Sequence, residues 1–348
     1  MKYYIVTNRQ ILTNDGVESI DTSDDGLCTD NLRFATLDSD AGPMDYELIP
    51  DKVDDGSGAY YFIGDGAQPT GSEKFFTDLA TDMNSPDGGD LLVFVHGFNV
   101  DWACGISTLG EIKQRVVDPA GSPIKHLVLF SWPSCGSVLR YKSDFQDATT
   151  SGTTLGRCFQ LFTEFLTEAI RNNRKDLTQC GNNIHLLCHS MGNHVLQYMV
   201  TKLVTDGNKY HDPFEEVILA AADVDNNIFD SPNAFSYLNN LCRRIHVYCN
   251  RNDLALKISS KFENPIKRLG SDGPANLNTL PSHVYVIDCT DVACKYDPGI
   301  VNKVIEHSYF AEVPEVGADI YSVLLGTNDE KITNRAKIND VKYRLLAT

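Results

Sequence analysis

From residue 90 onward the chain repeats one pattern, a nearly uninterrupted apolar run of about seven residues followed by an amphipathic stretch. The runs are LLVFVHG (91–97), HLVLFSW (126–132), IHLLCHS (184–190), EVILAAA (216–222), RIHVYCN (244–250) and HVYVIDC (283–289). A strand with one wet face alternates apolar with polar residues; one buried on both faces does not. The stretches between them carry apolar side chains at helical spacing. Phe159, Phe162, Phe165, Leu166 and Ile170 mark 157–171, and Val195, Leu196, Met199, Val200, Leu203 and Val204 mark 194–204. These stripes read as core packing, not cofactor contacts. Buried strands alternating with helices imply an α/β fold, a mostly parallel central sheet covered by helices on both faces.

Residues 1–90 differ in texture. Short strand-like pieces (YYIVT, LRFATL, YELIP, YYFIG) are separated by turn signals such as Asn14-Asp15-Gly16 and Asp54-Asp55-Gly56. They predict an N-terminal antiparallel elaboration, followed by a helix over SEKFFTDLATDM. With no internal repeat, low-complexity tract or Pro-rich linker, residues 1–348 read as one domain. Its parts are the N-terminal strands and loops (1–90), a core (91–325) and a C-terminal tail (326–348).

Composition narrows the partners. Asp plus Glu number 47 against 30 Lys plus Arg, a formal charge of -17, which repels phosphate backbones and anionic membranes and argues against nucleic acid as a partner. The start, MKYYIVTNRQ, has no apolar run long enough for a signal peptide, and no stretch reaches the ~18 to 20 apolar residues of a membrane span. The ten cysteines contain no C-x-x-C pair, so neither a zinc site nor a redox dithiol is expected. A reducing cytoplasm is the expected location.

Cys188-His189-Ser190-Met191-Gly192 follows an apolar strand and precedes an amphipathic helix. That context suits a nucleophile elbow, a tight strand-to-helix turn that lifts a serine hydroxyl clear of the sheet. A serine before a helix is also a common N-cap, but here the strand and helix flank it as the elbow requires. An oxyanion hole needs two main-chain N–H groups aimed where the carbonyl oxygen gains charge. Met191, after the serine, is one candidate. Phe98, in Val95-His96-Gly97-Phe98-Asn99 at the end of an earlier strand, is the other, because Gly97 lets a substrate approach the backbone. His96 is expected to orient that loop by hydrogen bonding. The base should follow the last strands in the order Ser, acid, His. His307, in a polar stretch, is the one histidine beyond HVYVIDC. His189 and His194 flank the serine, but no acidic residue accompanies them at metal spacing.

For the acid the residues leave alternatives open. Asp253 ends one strand just before a helical run, and Asp223 and Asp225 end the preceding one. Asp288 and Asp291 lie too near the strand leading toward His307. Whichever does not serve the histidine would be a helix N-cap.

Together these elements resemble the alpha/beta-hydrolase superfamily, and more closely a bacterial family within it of esterase/lipase-like proteins. The matching pieces are Thr7-Asn8-Arg9, His96-Gly97-Phe98-Asn99, Ser131-Trp132-Pro133-Ser134, His189-Ser190-Met191-Gly192-Asn193, Asn252-Asp253-Leu254-Ala255-Leu256 and His307, over roughly residues 1–325. Cys188 departs from the usual first glycine of the elbow. The resemblance implies carboxylic-ester hydrolysis by Ser190, Asp253 and His307, with no metal or organic cofactor. The expected substrate is a small-molecule ester of a small or medium acyl group, because the only candidate cover is a loop running from Cys135 to about residue 156. A thioesterase, amidase or acyltransferase would use the same three groups. A non-catalytic binding module on the same fold would be expected to have lost one of them.

Overall fold

All six apolar runs become strands of a single sheet. The computed structural model describes residues 1–23, 26–51, 53–54, 60–61, 71–134, 141–178, 181–207, 213–262, 266–294 and 305–347. The N-terminal strands are β1 (Lys2–Arg9), β2 (Ile11–Asn14), β3 (Val17–Ile20), β4 (Cys28–Asp38), β5 (Glu47–Leu48), β6 (Val53–Asp54) and β7 (Tyr60–Tyr61). The remainder are β8 (Asp90–Val95), β9 (Ile124–Ser131), β10 (Ile184–His189), β11 (Phe214–Ala220), β12 (Cys242–Cys249), β13 (Val284–Asp288), β14 (Arg335–Lys337) and β15 (Lys342–Leu345). The main sheet has 11 strands in the order β14-β15-β13-β12-β11-β10-β8-β9-β1-β4-β5. Every pairing from β15 across to β1 is parallel.

Helices cover both faces: α1 (Gly71–Met83), α2 (Trp102–Ile112), α3 (Tyr141–Arg171), α4 (Lys175–Thr178), α5 (Gly192–Thr205), α6 (Leu254–Phe262), α7 (Leu269–Asp272), α8 (Thr290–Ala293), α9 (Ile305–Glu312) and α10 (Pro314–Leu324). One apolar layer includes Phe75, Phe159, Met191 and Met199. The other includes Trp102, Leu109, Tyr309 and Val316. Among the described residues no helix is long and apolar enough to cross a membrane. A cavity of about 80 Å³ lies between the sheet and α1 and α3, lined by apolar side chains such as Phe75, Phe130 and Phe159; none of Ser190, Asp253 and His307 lines it.

Three local readings change. The first strand is antiparallel to β4, as its surroundings suggest, but it also lies parallel against β9 inside the main sheet. Its run of buried residues from Tyr3 to Arg9 is the physical sign of that two-sided position. The Asn14-Asp15-Gly16 signal does form a hairpin turn between β2 and β3, with Asp15 and Gly16 both at positive φ. The turn at Asp54-Asp55-Gly56 falls partly outside the described residues.

The second change concerns the expected cover loop. Residues 135–140 lie outside the described residues, and 141–156 are not loop but the first half of α3, which runs 31 residues. Its Ser-, Thr- and Gly-rich composition hides it, since those residues favour caps and turns. Packing overrides that preference: a Cβ on Gly152 would sit 2.4 Å from the carbonyl oxygen of Val195 and 2.6 Å from Tyr198 Cβ. The bare backbone lets α3 lie directly on α5.

The third change is at the C-terminal end, where residues read as tail add β14 and β15 to the sheet. A buried ionic cluster holds them. Arg335 donates to Asp319 and Asp329, Arg244 to Glu216 and Asp329, and the Tyr248 hydroxyl to Asp319 at 2.6 Å. Arg335→Leu leaves two buried carboxylates without that guanidinium and should cost about 3–5 kcal/mol. Urea unfolding measures this; a loss below about 1 kcal/mol would show that the pairs do not hold the C-terminal strands.

Candidate active site

Strand β10 ends at His189, and the next residue turns the chain into α5. Ser190 sits there at φ +51, in the left-handed region that costs a non-glycine residue roughly 1–3 kcal/mol. The neighbouring strand encloses it. The Ser190 N–H donates to the carbonyl oxygen of Ala220 at 3.0 Å, and its own carbonyl accepts from the N–H of Asp223 at 3.1 Å. Asn193 Nδ2 adds donations to Cys188 O (3.0 Å) and Ser190 O (3.1 Å). Gly192 is required by contact: a Cβ would lie 2.5 Å from the Val95 carbonyl oxygen and 2.7 Å from that of His96. Cys188, fully buried, fills the place of the missing glycine as a small core side chain.

His307 approaches from α9, near the start of a helix and not in a loop; Ser308 just after it leaves helical geometry (φ -92°, ψ 19°). His307 Nδ1–H donates to Asp253 Oδ2 at 2.8 Å, which leaves Nε2 to accept from the Ser190 hydroxyl, also at 2.8 Å. Asp253 is completely buried, and its second oxygen accepts from the Leu256 N–H at 3.0 Å. The N-cap role and the histidine-partner role, set as alternatives from sequence, fall on one carboxylate with one oxygen for each.

The other acids are committed elsewhere. Asp223 accepts from the Tyr141 and Ser259 hydroxyls at 2.7 and 2.5 Å and pairs with Arg268, which also bonds Asp225 at 2.6 Å. Asp288 is bonded by Arg251 and Thr290, and Asp291 lies 3.7 Å from Arg344.

Burial alone would push the His307 pKa down. The Asp253 charge and hydrogen bond, helped by the charge of Asp223, outweigh burial and raise it above 6.5. The other nearby histidines go the opposite way. His189 is held well below the ordinary value by burial and by His307 beside it, and its Nε2–H donates to the His307 carbonyl at 3.2 Å. Burial and Arg268 push His194 down to about 3; it contacts Phe145 and Thr149 on α3. His96, also at about 3 through burial, is neutral.

The ring of His96 has its tautomer set by its partners. Nε2 accepts from the Trp132 N–H at 3.1 Å, so Nδ1 carries the proton and donates to the Gly97 carbonyl at 2.9 Å. The two rings stack at 5.3 Å, and Trp132 Nε1–H returns a bond to the His96 carbonyl. The loop is thereby pressed onto the serine: a Cβ on Gly97 would lie 2.7 Å from Ser190 Cβ. Among the described residues the N–H groups of Phe98 and Met191 donate to no protein acceptor.

Sequence reasoning left Arg9 and Tyr141 without roles. Arg9, buried at the end of β1, donates to Ser131 Oγ (3.2 Å) and to the Trp132 carbonyl (3.1 Å). Its signal was an arginine directly after an apolar strand. Tyr141 packs on Phe98 with ring centroids 5.4 Å apart while bonding Asp223. It follows residues that give no helix signal, so nothing local marks it.

A family model described as alpha/beta hydrolase of unknown function (DUF900) matches residues 72–326. The chain belongs to that family. Among curated proteins this hydrolase is similar to uncharacterized protein alr1448 of Nostoc sp., with 22% identity over 311 residues, spanning 70% of this chain and 75% of the relative. Among solved structures it is similar to a hyperthermophilic esterase from the archaeon Pyrobaculum calidifontis, at 14% identity and TM-score 0.27, covering 73% of this chain and 78% of that one. A monoclinic form of the Pyrobaculum calidifontis esterase gives 14% and 0.26, covering 72% and 77%.

A pH titration of His307 by NMR should give a midpoint above 6.5. Asp253→Asn should lower it, because the charge that raises it is removed. An unchanged midpoint would contradict the ion-pair account. A folded pKa raised in this way contributes stability below the unfolded value that is lost as pH rises through the folded one.

Proposed function

We propose that this alpha/beta hydrolase is a serine hydrolase cleaving carboxylic esters of small or medium acyl groups. The observation that carries the reading is the unbroken chain from Ser190 Oγ through the His307 ring to Asp253, with 2.8 Å at each step. His307 Nε2 takes the Ser190 proton as Oγ attacks the ester carbonyl. The oxyanion then meets the N–H groups of Phe98 and Met191, with the latter at the start of α5, where the helix dipole favours negative charge. The imidazolium returns its proton to the departing alcohol. Water, deprotonated by the same ring, attacks the acyl-enzyme and releases the acid. Asp253 keeps Nδ1 protonated and stabilises the imidazolium.

The choice of small or medium acyl groups is supported by the short connection after β11 among the described residues. The segment joining β11 to β12 holds only two short 3-10 turns, Ala234–Ser236 and Leu238–Asn240.

A fluorophosphonate probe should label the wild-type protein, and Ser190→Ala should abolish labelling; folded wild type that stays unlabelled would overturn the proposal. Asp253→Asn should lower kcat by about 10³- to 10⁴-fold with little loss of fold, since asparagine also caps a helix. Turnover of p-nitrophenyl acetate and butyrate should exceed that of palmitate. A preference for palmitate would remove the chain-length part of the reading.

A further inference from the structure

Three of the sequence motifs carry no chemistry in the proposed reaction: Thr7-Asn8-Arg9, Ser131-Trp132-Pro133-Ser134 and the asparagine that ends His96-Gly97-Phe98-Asn99. In the fold they interlock. The Thr7 hydroxyl donates to the Ser131 carbonyl at 2.6 Å, and Arg9 holds the Ser131 hydroxyl and the Trp132 carbonyl. Trp132 in turn holds His96 at both the ring and the main chain. Two residues on, the Ser134 hydroxyl accepts from the Asn99 N–H at 2.8 Å and donates to Asp144 Oδ2 at 3.2 Å.

Ser134 and Asp144 are both buried, Asp144 completely, and Asp144 stands in the first turn of α3, where a carboxylate is favoured. Asn99 sits at φ +59, a conformation asparagine tolerates better than most residues. The chain from Asp144 through Ser134 therefore ends on the residue directly after Phe98, at the point where the backbone is strained. Tyr141, three residues before Asp144, packs on the Phe98 ring from the same helix turn. The main chain of Phe98 is thus braced on one side by His96 and Gly97 and on the other by Ser134.

We infer that Ser134 is a positioning residue for the reaction: the Asp144–Ser134–Asn99 chain sets the direction of the Phe98 N–H toward the developing oxyanion. The inference rests on the reading of Phe98 as an oxyanion donor. An N–H left free to swing loses strength mainly in the transition state, because only there does the carbonyl oxygen carry its charge. Binding of the ground-state ester does not depend on it.

The test is Ser134→Ala, with Ser134→Thr as the variant that keeps the hydroxyl. In p-nitrophenyl butyrate turnover Ser134→Ala should lose about 10- to 100-fold in kcat, with KM within about twofold and the His307 titration midpoint unmoved. The affinity of a trifluoromethyl ketone, whose hemiketal places an oxyanion in the hole, should fall in step with kcat. Ser134→Thr should recover most of both. A merely structural role would lower the melting temperature and leave the inhibitor affinity where it was, and that result overturns the inference. So does wild-type kcat in Ser134→Ala. If Ser134→Ala does not fold, Ser134→Thr and Asp144→Asn decide: wild-type inhibitor affinity in Asp144→Asn, with the charge behind the hydroxyl gone, is against it, and a drop that Ser134→Thr does not share is for it. Wild-type protein that neither labels nor turns over ester would instead remove the hydrolase reading itself.

Discussion

The main chain of Ser190 is gripped on both sides by the end of β11 and the turn after it, at Ala220 through its N–H and at Asp223 through its carbonyl. These two bonds hold a non-glycine residue in the left-handed region, and the rest of the site follows from where that residue points. The chain supplying them bends just past β11: Ala221 lies at φ +46, between the two residues that bond the serine. Gly270 packs against that bend so tightly that a Cβ would fall 2.2 Å from the Ala222 nitrogen. Two strained turns sustain each other, as surrounding structure must wherever such conformations persist.

The histidine is fixed by a separate set of contacts, made by the main chain of α9 and by its Tyr309 side chain. His189 donates to the His307 carbonyl, the buried Tyr309 hydroxyl bridges the ends of β11 and β12 (accepting from Ala221, donating to Tyr248), and Arg115 donates to the carbonyls of Ala311 and Glu312. None of these contacts touches the imidazole nitrogens. Among the described residues the ring nitrogens bond two partners, Asp253 and Ser190, and the His189 ring lies beside the imidazole with centroids 4.9 Å apart. Fixing the frame while leaving the imidazole nitrogens to one acid and one hydroxyl is the preorganisation that the proposed proton transfer needs.

Much of this was legible in the residues. Apolar runs without alternation signalled the parallel strands, and the order Ser, Asp, His along successive strand ends pointed to the groups that meet. What stayed hidden depended on tertiary contact. The first half of α3 has the composition of a loop and becomes helix because Gly152 admits α5. The C-terminal strands are polar and short, and only the buried partners Asp319 and Asp329 make sense of Arg335. Local pattern favoured Asp253 but left Asp223 and Asp225 as alternatives, since each follows a strand. It turns on Arg268, Tyr141 and Ser259, which come from distant parts of the chain to occupy Asp223 and Asp225.

The placement of Arg335 also bears on how the outer edge of the sheet closes. Asp319 and Asp329 share that guanidinium, and the Tyr248 hydroxyl, on a strand at the heart of the sheet, bonds the first of them. Without Arg335, closing that edge would bury both carboxylates with Arg244, His246 and the Tyr248 hydroxyl as their remaining partners among the described residues. Closure of the sheet's outer edge is thereby tied to the docking of one guanidinium, so the last two strands and their buried charges stand or fall together.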